Sequence, residues 1–355
     1  DALTVRMAAF HEENIRVLRI KTGKIKTASR FVRALNEMRL STLLWKRGKE
    51  FFLSNRFDLI VYYSPSIFWG SIVKRLKYLY DCSSYLILRD IFPKWTVDAG
   101  ILKESVIYRY FKWKEMQNYN AADIIGVQSP ANLLYFEANC LNKKCQLEVL
   151  YNWTTLREEN IQLGAHRVRL GLEGKVVFFY GGNIGVAQDM DNIVRLSNNL
   201  LDEPSAYFLL VGGGSEVPRL RADIASKGLT NIAIHDAVGQ REYLSMLAEF
   251  DVGLISLDRG LKTHNFPGKM LGYMYNAMPI LASINKGNDL KNIIEDAEAG
   301  FVCFNGEDDK LYELAKRLLH DSDLRRKTGK NARVLLENKF SVSRAASQIL
   351  SHFIP

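Results

Sequence analysis

Apolar runs of strand length alternate with helical patterns along this 355-residue chain. In the second half, the runs at 176–180, 207–211, 231–236, 251–257 and 280–282 predict strands, most of them apolar throughout as in sheets buried on both faces. Between and after them, apolar residues recur at the spacing of one helix face, which predicts helices at 241–250, 308–320, 322–337 and 341–353. This alternation predicts an α/β domain built on a parallel sheet.

The first half has the same alternation with a weaker pattern. Runs at 15–20, 57–63, 85–88, 122–129 and 147–150 predict strands, and segments 67–80, 104–119 and 130–139 predict helices. The chain is longer than the roughly 250 residues at which single hydrophobic cores stop growing. We therefore predict two domains, residues 1–152 and 153–338, followed by a C-terminal helix at 339–355.

Glycine-rich turns follow two of the predicted strands of the second half. The sequence GGNIG occupies 181–185 after the first strand, and GGGS occupies 212–215 after the next. Strand, glycine turn and helix in this order place backbone N–H groups at the carboxyl edge of a parallel sheet, where phosphates bind. We interpret the turns as part of a nucleotide site; tight turns that need glycine only for positive φ are the alternative.

Positive charge is concentrated in the first 150 residues, which carry 24 Lys and Arg against 14 Asp and Glu, whereas the remainder is nearly neutral. Much of it lies at 24–56, where basic and apolar residues interleave on one predicted long helix. Such a helix suits an anionic membrane, and we interpret four of its cations as membrane-facing: Arg30, Arg33, Lys46 and Arg47. A helix whose apolar side packs on its own domain is the alternative. We expect no nucleic-acid partner, because no recognition motif is present.

Two charged residues at the ends of predicted elements are candidates for chemistry. Asp90 follows the strand at 85–88, at the sheet edge where parallel sheets bind ligands. Its alternative is a structural role, as a helix cap or as a partner of Arg89. Lys269 opens a helix after Pro267 and Gly268, in a position to meet a phosphate; a solvated lysine is its alternative.

The sequence gives little support for a metal site or for a membrane-spanning segment. Asp189 and Asp191 form a D-x-D pattern, but it lies at a helix start, so we expect these carboxylates to cap the helix. His235, alone near a strand end, is expected to be structural. The four cysteines form no metal-ligand doublet, and they form no disulfide framework either, which indicates a reducing compartment. No run approaches the roughly 18 apolar residues of a membrane span.

Taken in order, these motifs resemble the GT-B glycosyltransferases of glycosyltransferase family 4. GGNIG, VGGGSE, NIAIHDAV, AEFDVGLISL and PGKMLGYMYNAMPILAS resemble the donor-binding domain. FDLIVYYSPSIFWGSIVK, YLILRDIFPKWTVDAGIL and YNAADIIGVQS resemble the acceptor domain of bacterial enzymes that build O-antigen and related envelope polysaccharides, above all N-acetylfucosaminyltransferase-type enzymes. The resemblance implies two facing Rossmann-like domains with parallel sheets and a C-terminal helix that crosses back.

The resemblance also implies the reaction. A sugar, expected to be an N-acetylated hexosamine or deoxyhexosamine, moves with retention from a UDP-sugar to a polyprenyl-diphosphate-linked saccharide, without a metal or other cofactor. The protein is then expected in the cytoplasm, bound peripherally to the inner face of the bacterial plasma membrane. A non-catalytic GT-B subunit and a UDP-sugar 2-epimerase are the alternatives.

Site residues follow from the resemblance position by position. Asp90 falls near the reacting sugar and is the implied catalytic residue. The implied donor-binding residues are Gly182, Asn183, Ile184, Gly185, Gly212, Gly213, Gly214, Val238, Pro267, Gly268 and Lys269.

The chain departs from the family pattern in three respects. His264 and Gly272 stand where relatives carry two glutamates, the second of which binds the ribose. The GGNIG turn lacks the cations that many relatives direct at the diphosphate, for which Lys262 and Lys269 are possible substitutes. The usual opening strand and acceptor loop are not visible ahead of residue 14, and the chain starts at Asp1, so we expect the sequence to begin inside the acceptor domain.

Overall fold

A computed structural model gives the fold and describes residues 6–23, 30–64, 66–98, 100, 102–138, 145–156, 166–262 and 266–353. The chain divides into two compact units. Unit 1 comprises Asp1–Val127, Leu133–Leu150 and Ile349–Pro355, and unit 2 comprises Gln128–Asn132 and Tyr151–Gln348. The last residues of the chain thus belong to unit 1, although the helices before them belong to unit 2.

Unit 1 contains a four-stranded parallel sheet and a separate antiparallel hairpin. Its elements are β1 (Met7–Glu12), β2 (Ile15–Ile20), α1 (Arg30–Met38), α2 (Leu40–Leu53), β3 (Leu59–Tyr63), α3 (Gly70–Tyr80), β4 (Ser83–Ile87), α4 (Lys94–Asp98), α5 (Val106–Tyr119), β5 (Ile124–Val127), α6 (Pro130–Ala138) and β6 (Gln146–Val149). The hairpin pairs β1 with β2, and the parallel sheet has the order β3-β4-β5-β6. Its core packs aromatic and branched side chains of the central strands against α2, α3 and α5.

Two predictions for unit 1 are wrong in detail. The basic segment forms two helices rather than one, because the helix is interrupted at Arg39 between α1 and α2. The apolar run at 57–63 is typical of a strand buried on both faces, but Val61 is 46% exposed and Tyr63 52% exposed. β3 lies at the edge of its sheet, so fewer neighbours cover it.

Unit 2 alternates strand and helix almost without interruption. Its elements are α7 (His166–Arg169), β7 (Val176–Gly181), α8 (Asp191–Asn199), β8 (Ala206–Val211), α9 (Val217–Ser226), β9 (Ile232–His235), α10 (Gln240–Leu247), β10 (Val252–Ser256), α11 (Lys269–Tyr275), β11 (Ile280–Ile284), α12 (Leu290–Asp296), β12 (Gly300–Phe304), α13 (Asp308–His320), α14 (Ser322–Lys339) and α15 (Val342–Leu350). The predicted α/β class with parallel sheets is confirmed.

The six strands of unit 2 are all parallel, in the order β12-β11-β10-β7-β8-β9. Alternate residues of β7 enter cores on opposite faces: Val177 and Phe179 on one, Phe178 and Tyr180 on the other. This order is that of a doubly wound sheet, which reverses direction between its first strand, β7, and its fourth, β10. Ligands bind such sheets beyond the carboxyl ends of the strands at this reversal, and the GGNIG turn lies there.

Candidate functional site

The two glycine turns of unit 2 are locked to each other at the sheet edge. The N–H of Gly182 donates to the carbonyl of Val211 at 2.9 Å, and that of Ile184 donates to Gly213 at 2.9 Å. An added Cβ on Gly212 would lie 1.8 Å from the Gly182 oxygen, and one on Gly214 would lie 2.0 Å from the Ile184 oxygen. Glycine at 212 and 214 is therefore required for the two turns to stack.

This stacking leaves backbone donors at the surface. The N–H groups of Asn183, Gly213 and Gly214 meet no acceptor among the residues that the structure describes. All three residues are exposed. Gln188 fixes the first turn, because its Oε1 accepts from Asn183 Nδ2 at 2.7 Å and from the Gly185 N–H at 3.1 Å. Free N–H groups on two adjacent turns can form a cradle for an anion.

Lys269 brings a positive charge to the same cradle. Its Nζ lies 3.3 Å from the centroid of the Tyr180 ring and about as close, 3.5 Å, to the position of a Cβ on Gly182. Burial lowers the pKa of Lys269 well below its usual range. In the described part of the chain, no carboxylate forms an ion pair with it. Lys269 is thus a half-buried lysine whose Nζ lies over a ring face beside free N–H groups.

Three tyrosine side chains contact the first glycine turn. The Tyr180 hydroxyl donates to the Asn183 carbonyl at 2.5 Å, and the Tyr273 hydroxyl accepts from the Gly181 N–H at 3.3 Å while it donates to Leu254 at 3.2 Å. Burial raises the pKa of Tyr243, which packs against Gly181, to about 12. These hydroxyls therefore stay protonated, and they add no negative charge to the site.

The other predicted donor residues lie at or near the same edge. Ile184 is fully buried in the core, and its backbone N–H and carbonyl are both hydrogen-bonded within the turns, so it anchors the loop. Val238 follows β9 and packs against the core. Pro267 and Gly268 lead into α11, with Gly268 close to the Asn152 amide. His264 lies outside the described residues, and Lys262 is exposed on the loop after β10.

Two residues near this edge of the unit 2 sheet have structural roles. His235 contributes its carbonyl, which accepts from the Gly212 N–H at 3.0 Å. Gly272 lies where α11 approaches α10, and a Cβ there would be 2.9 Å from Leu247 Cδ1. The end of the Leu247 side chain therefore lies where a side chain at position 272 would extend. The lack of a side chain at Gly272 is part of the packing of α10 against α11.

The expected helix capping by the D-x-D pattern is wrong. α8 begins after Met190, and no side chain caps it. Asp189 instead accepts from Asn305 Nδ2 at 2.8 Å, and Asp191 forms a two-pronged ion pair with Arg219 at 2.9 Å. The two carboxylates thus link the start of α8 and the residues just before it to neighbouring elements. Among the described residues, no cluster of three or more His, Cys, Asp or Glu side chains is arranged to hold a metal ion.

Asp90 lies in unit 1, directly after β4, and is half-buried. Its neighbour Arg89 is buried and donates from Nη1 to the Leu150 carbonyl at 2.7 Å. Burial lowers the pKa of Arg89 to about 10, opposed in part by the negative charge of Asp90. The strand end thus carries a buried guanidinium with a carboxylate next to it, at the ligand-binding edge of the sheet.

The predicted membrane-facing cations belong to α1 and α2 of unit 1. The side chains of Arg30 and Arg33 lie outside the described part of the structure. On α2, Lys46 is exposed, whereas Arg47 is half-buried and donates to the Lys21 carbonyl. The apolar side of α2 packs into its own unit, as the alternative interpretation predicted for that helix. No helix in the described ranges is long and apolar enough to cross a membrane.

Comparison with known proteins identifies this architecture. Residues 165–335, which hold both glycine turns and Lys269, match the family of glycosyl transferases group 1. This segment is a glycosyltransferase group 1 domain. It takes in most of unit 2.

Bacterial glycosyltransferases match more of the chain. A probable glycosyltransferase WbjE of Pseudomonas aeruginosa is 27% identical over 242 residues, covering 64% of this chain and 58% of the relative. A putative colanic acid biosynthesis glycosyl transferase WcaI of Escherichia coli K12 is 24% identical over 262 residues, covering 70% and 63%. The chain thus spans about 60% of the length of these curated relatives.

Solved structures share the fold at low identity. Sucrose-phosphate synthase of Thermosynechococcus elongatus has a TM-score of 0.73 at 17% identity, covering 99% of this chain and 86% of that one. Anabaena Alr3699/HepE in complex with UDP-glucose has a TM-score of 0.66 at 16% identity, covering 88% and 81%. The chain that contains this glycosyltransferase domain therefore has the GT-B fold, as its motifs indicated.

Proposed function

We propose that the protein is a retaining, metal-independent glycosyltransferase that moves a sugar from a UDP-sugar to a polyprenyl-diphosphate-linked saccharide in the synthesis of an O-antigen or another envelope polysaccharide. The observation that carries the proposal is the position of Lys269, whose Nζ lies over the Tyr180 ring and beside free N–H groups of two stacked glycine turns, with no carboxylate partner in the described structure. A lysine placed in this way beside free backbone donors is best explained by an anionic ligand.

The proposed chemistry uses this cradle for the leaving group. Breaking the sugar–phosphate bond leaves negative charge on the diphosphate, which Lys269 and the N–H groups of Asn183, Gly213 and Gly214 stabilise. Fixed donors and a lysine then perform the task for which other glycosyltransferases use a metal ion. Val238, Pro267 and Gly268 border the nucleotide in this proposal.

Asp90 is the proposed catalytic residue of unit 1. It accepts a hydrogen bond from the acceptor hydroxyl and orients that oxygen for attack, and a retaining transfer of this kind needs no enzyme nucleophile. The neighbouring Arg89 is buried and places a guanidinium at the same strand end.

The relatives support the donor and pathway assignments. HepE has been solved in complexes with UDP and UDP-glucose, and WcaI is named for colanic acid biosynthesis. The N-acetylated hexosamine or deoxyhexosamine, the peripheral position on the inner membrane and the N-acetylfucosaminyltransferase-type activity rest on the sequence resemblance. They are parts of the proposal that the donor and acceptor assays below address.

One observation favours a second candidate, a non-catalytic nucleotide-sugar-binding subunit. Position 272 is a glycine packed near Leu247, so it offers no carboxylate to a ribose. The experiment that separates the two is a thermal-shift panel of UDP-, GDP- and dTDP-sugars, followed by measurement of nucleotide release with a polyprenyl-diphosphate-linked acceptor. A donor at 100 times its dissociation constant is expected to stabilise the protein by about 2.7 kcal/mol.

The enzyme assignment predicts a shift with a UDP-sugar and acceptor-dependent release of UDP. A shift without release would favour the binding subunit. No shift with any of the donors would contradict both.

A further inference from the structure

Asp189 lies just after the GGNIG turn in a conformation that most residues avoid. Its φ is +39°, in the left-handed region, where it ends the short 3₁₀ helix Val186–Gln188. Asp and Asn adopt this region more readily than most residues that have a side chain, and glycine adopts it most easily. An aspartate at this position is explained if its carboxylate makes contacts that glycine could not make.

The contacts of Asp189 join the GGNIG turn to the loop after β10. Its Oδ2 accepts a hydrogen bond at 2.8 Å from Nδ2 of Asn305, and the same amide nitrogen donates to the Leu257 carbonyl at 2.8 Å. The carbonyl of Asp189 accepts from the Ser256 hydroxyl at 3.0 Å. Asn305 is 7% exposed and Ser256 is 2% exposed, so little water competes for these bonds. The Asn305 amide thus bridges the Asp189 carboxylate and the backbone of the loop.

The loop after β10, residues 257–262, is held to the same turn at a second point. The Asp258 N–H donates to the Ala187 carbonyl at 3.0 Å. Ala187 directly precedes Gln188, whose side chain fixes the GGNIG turn. The start of the loop is therefore fastened on both sides of Gln188, through Ala187 and through Asp189.

These bonds connect the segments that carry the two parts of the donor cradle. The GGNIG turn supplies the free N–H group of Asn183, and the chain after the loop leads through Pro267 into α11, which begins at Lys269. Groups that bind a ligand must be held within about 0.5 Å of the productive geometry by the contacts behind them. The network around Asp189 is placed to provide such support.

We propose that Asp189 is a positioning residue for the donor cradle, which acts through Asn305 and does not touch the nucleotide. The inference rests on the proposed function, because the role is defined relative to a bound nucleotide diphosphate. The carboxylate fixes the loop after β10 against the GGNIG turn, so that the free N–H groups and Lys269 meet the diphosphate together. This role requires an acceptor oxygen at position 189 and does not require a negative charge.

The test is calorimetric titration of UDP into variants at a temperature where urea unfolding shows each of them to be folded. Asp189→Gly removes the carboxylate without backbone strain, and UDP should bind about fivefold more weakly, the equivalent of about 1 kcal/mol for one hydrogen bond. Asp189→Asn keeps an acceptor oxygen for Asn305 and tolerates the same φ, so it should bind UDP within about twofold of the wild type. A loss in Asp189→Asn as large as that in Asp189→Gly would assign the effect to charge and overturn the proposal.

Asp191 provides the matched control for the loss of a carboxylate. It lies two residues further along the chain, and its ion pair with Arg219 is outside the network around Asn305. Asp191→Ala should therefore leave the affinity for UDP unchanged. An equal loss in Asp191→Ala and Asp189→Gly would overturn the specific role of Asp189.

A double variant tests whether Asp189 acts through Asn305. Asn305→Ala should weaken UDP binding, because it removes the bridge from the other side. Combined with Asp189→Gly, it should lose no more affinity than the larger of the two single losses, since changes within one hydrogen-bond network are not additive. Losses that add would overturn the route through Asn305.

Hydrogen exchange without nucleotide reports on the loop directly. Amide exchange at residues 257–262 should be faster in Asp189→Gly than in the wild type and unchanged in Asp191→Ala. Unchanged exchange in Asp189→Gly would overturn the proposal. Failure of the wild type to bind UDP would overturn the proposed function and this role with it, whereas wild-type binding that Asp189→Gly matches would overturn this inference alone.

Discussion

Replacing Gly212 with alanine should disrupt the stacked turns, because its added Cβ would lie 1.8 Å from the Gly182 carbonyl oxygen. Ordinary contacts begin near 3.4 Å, so the turns must separate by about 1.6 Å. Two hydrogen bonds join the turns, Gly182 to Val211 and Ile184 to Gly213. At about 0.5–1.5 kcal/mol each, their loss lowers the free energy of unfolding by about 1–3 kcal/mol.

The adjacent Gly213 provides the matched control. A Cβ there would meet nothing within 4 Å, and φ is not in the left-handed region at either glycine, so alanine is conformationally acceptable at both. Urea unfolding of both variants measures the difference, with Gly212→Ala expected to shift the midpoint at unchanged slope and Gly213→Ala expected to leave it in place. Equal midpoints for the two variants would refute the steric argument.

Three further predictions concern the charges of the site. Lys269→Met should leave the free energy of unfolding equal or higher, since it replaces an amine whose charged form is disfavoured by desolvation with an apolar side chain; a clear loss of stability in urea would contradict this. Burial lowers the pKa of Lys269 in the free protein, and a bound diphosphate should raise this pKa again. Calorimetry at pH values above the lowered pKa should therefore show proton uptake on binding, and the affinity should fall as the pH rises. Binding that does not depend on pH would contradict this prediction. Asp90→Asn should spare donor affinity but slow transfer, and full activity would remove Asp90 from the mechanism.

Five of the six strands of unit 2 could be predicted because they are apolar runs that pack on both faces of the sheet, whereas β12 was missed. Continuous apolar runs such as 176–180 indicate strands that are buried on both faces, and the order of strand and helix implies parallel pairing. α9 was missed because only Leu220 of its residues is buried, which leaves little helical periodicity to detect. β1 was missed for a similar reason, since its hairpin is largely exposed and leaves no alternating pattern.

Much of the candidate site could also be located, because glycine turns and Lys269 have local signals. The contacts that these site residues make in the folded protein join residues far apart in the sequence. The Tyr180 ring meets Lys269 from a different element, Asp189 and Asp191 find partners in Asn305 and Arg219, and Leu247 fills the space at Gly272. Such pairings depend on the folded sheet, and no spacing in the sequence encodes them.

The central claim is that Lys269 and the glycine turns bind a nucleotide diphosphate. Its most direct test is calorimetric titration of UDP into the wild-type protein, Lys269→Met and Lys330→Met, the last at an exposed lysine of α14. Hydrogen bonds to charged groups contribute about 1.5–3 kcal/mol, so Lys269→Met should weaken binding by about tenfold or more, while Lys330→Met should match the wild type. Equal affinity in all three proteins, or no binding of UDP to the wild type, would contradict the account.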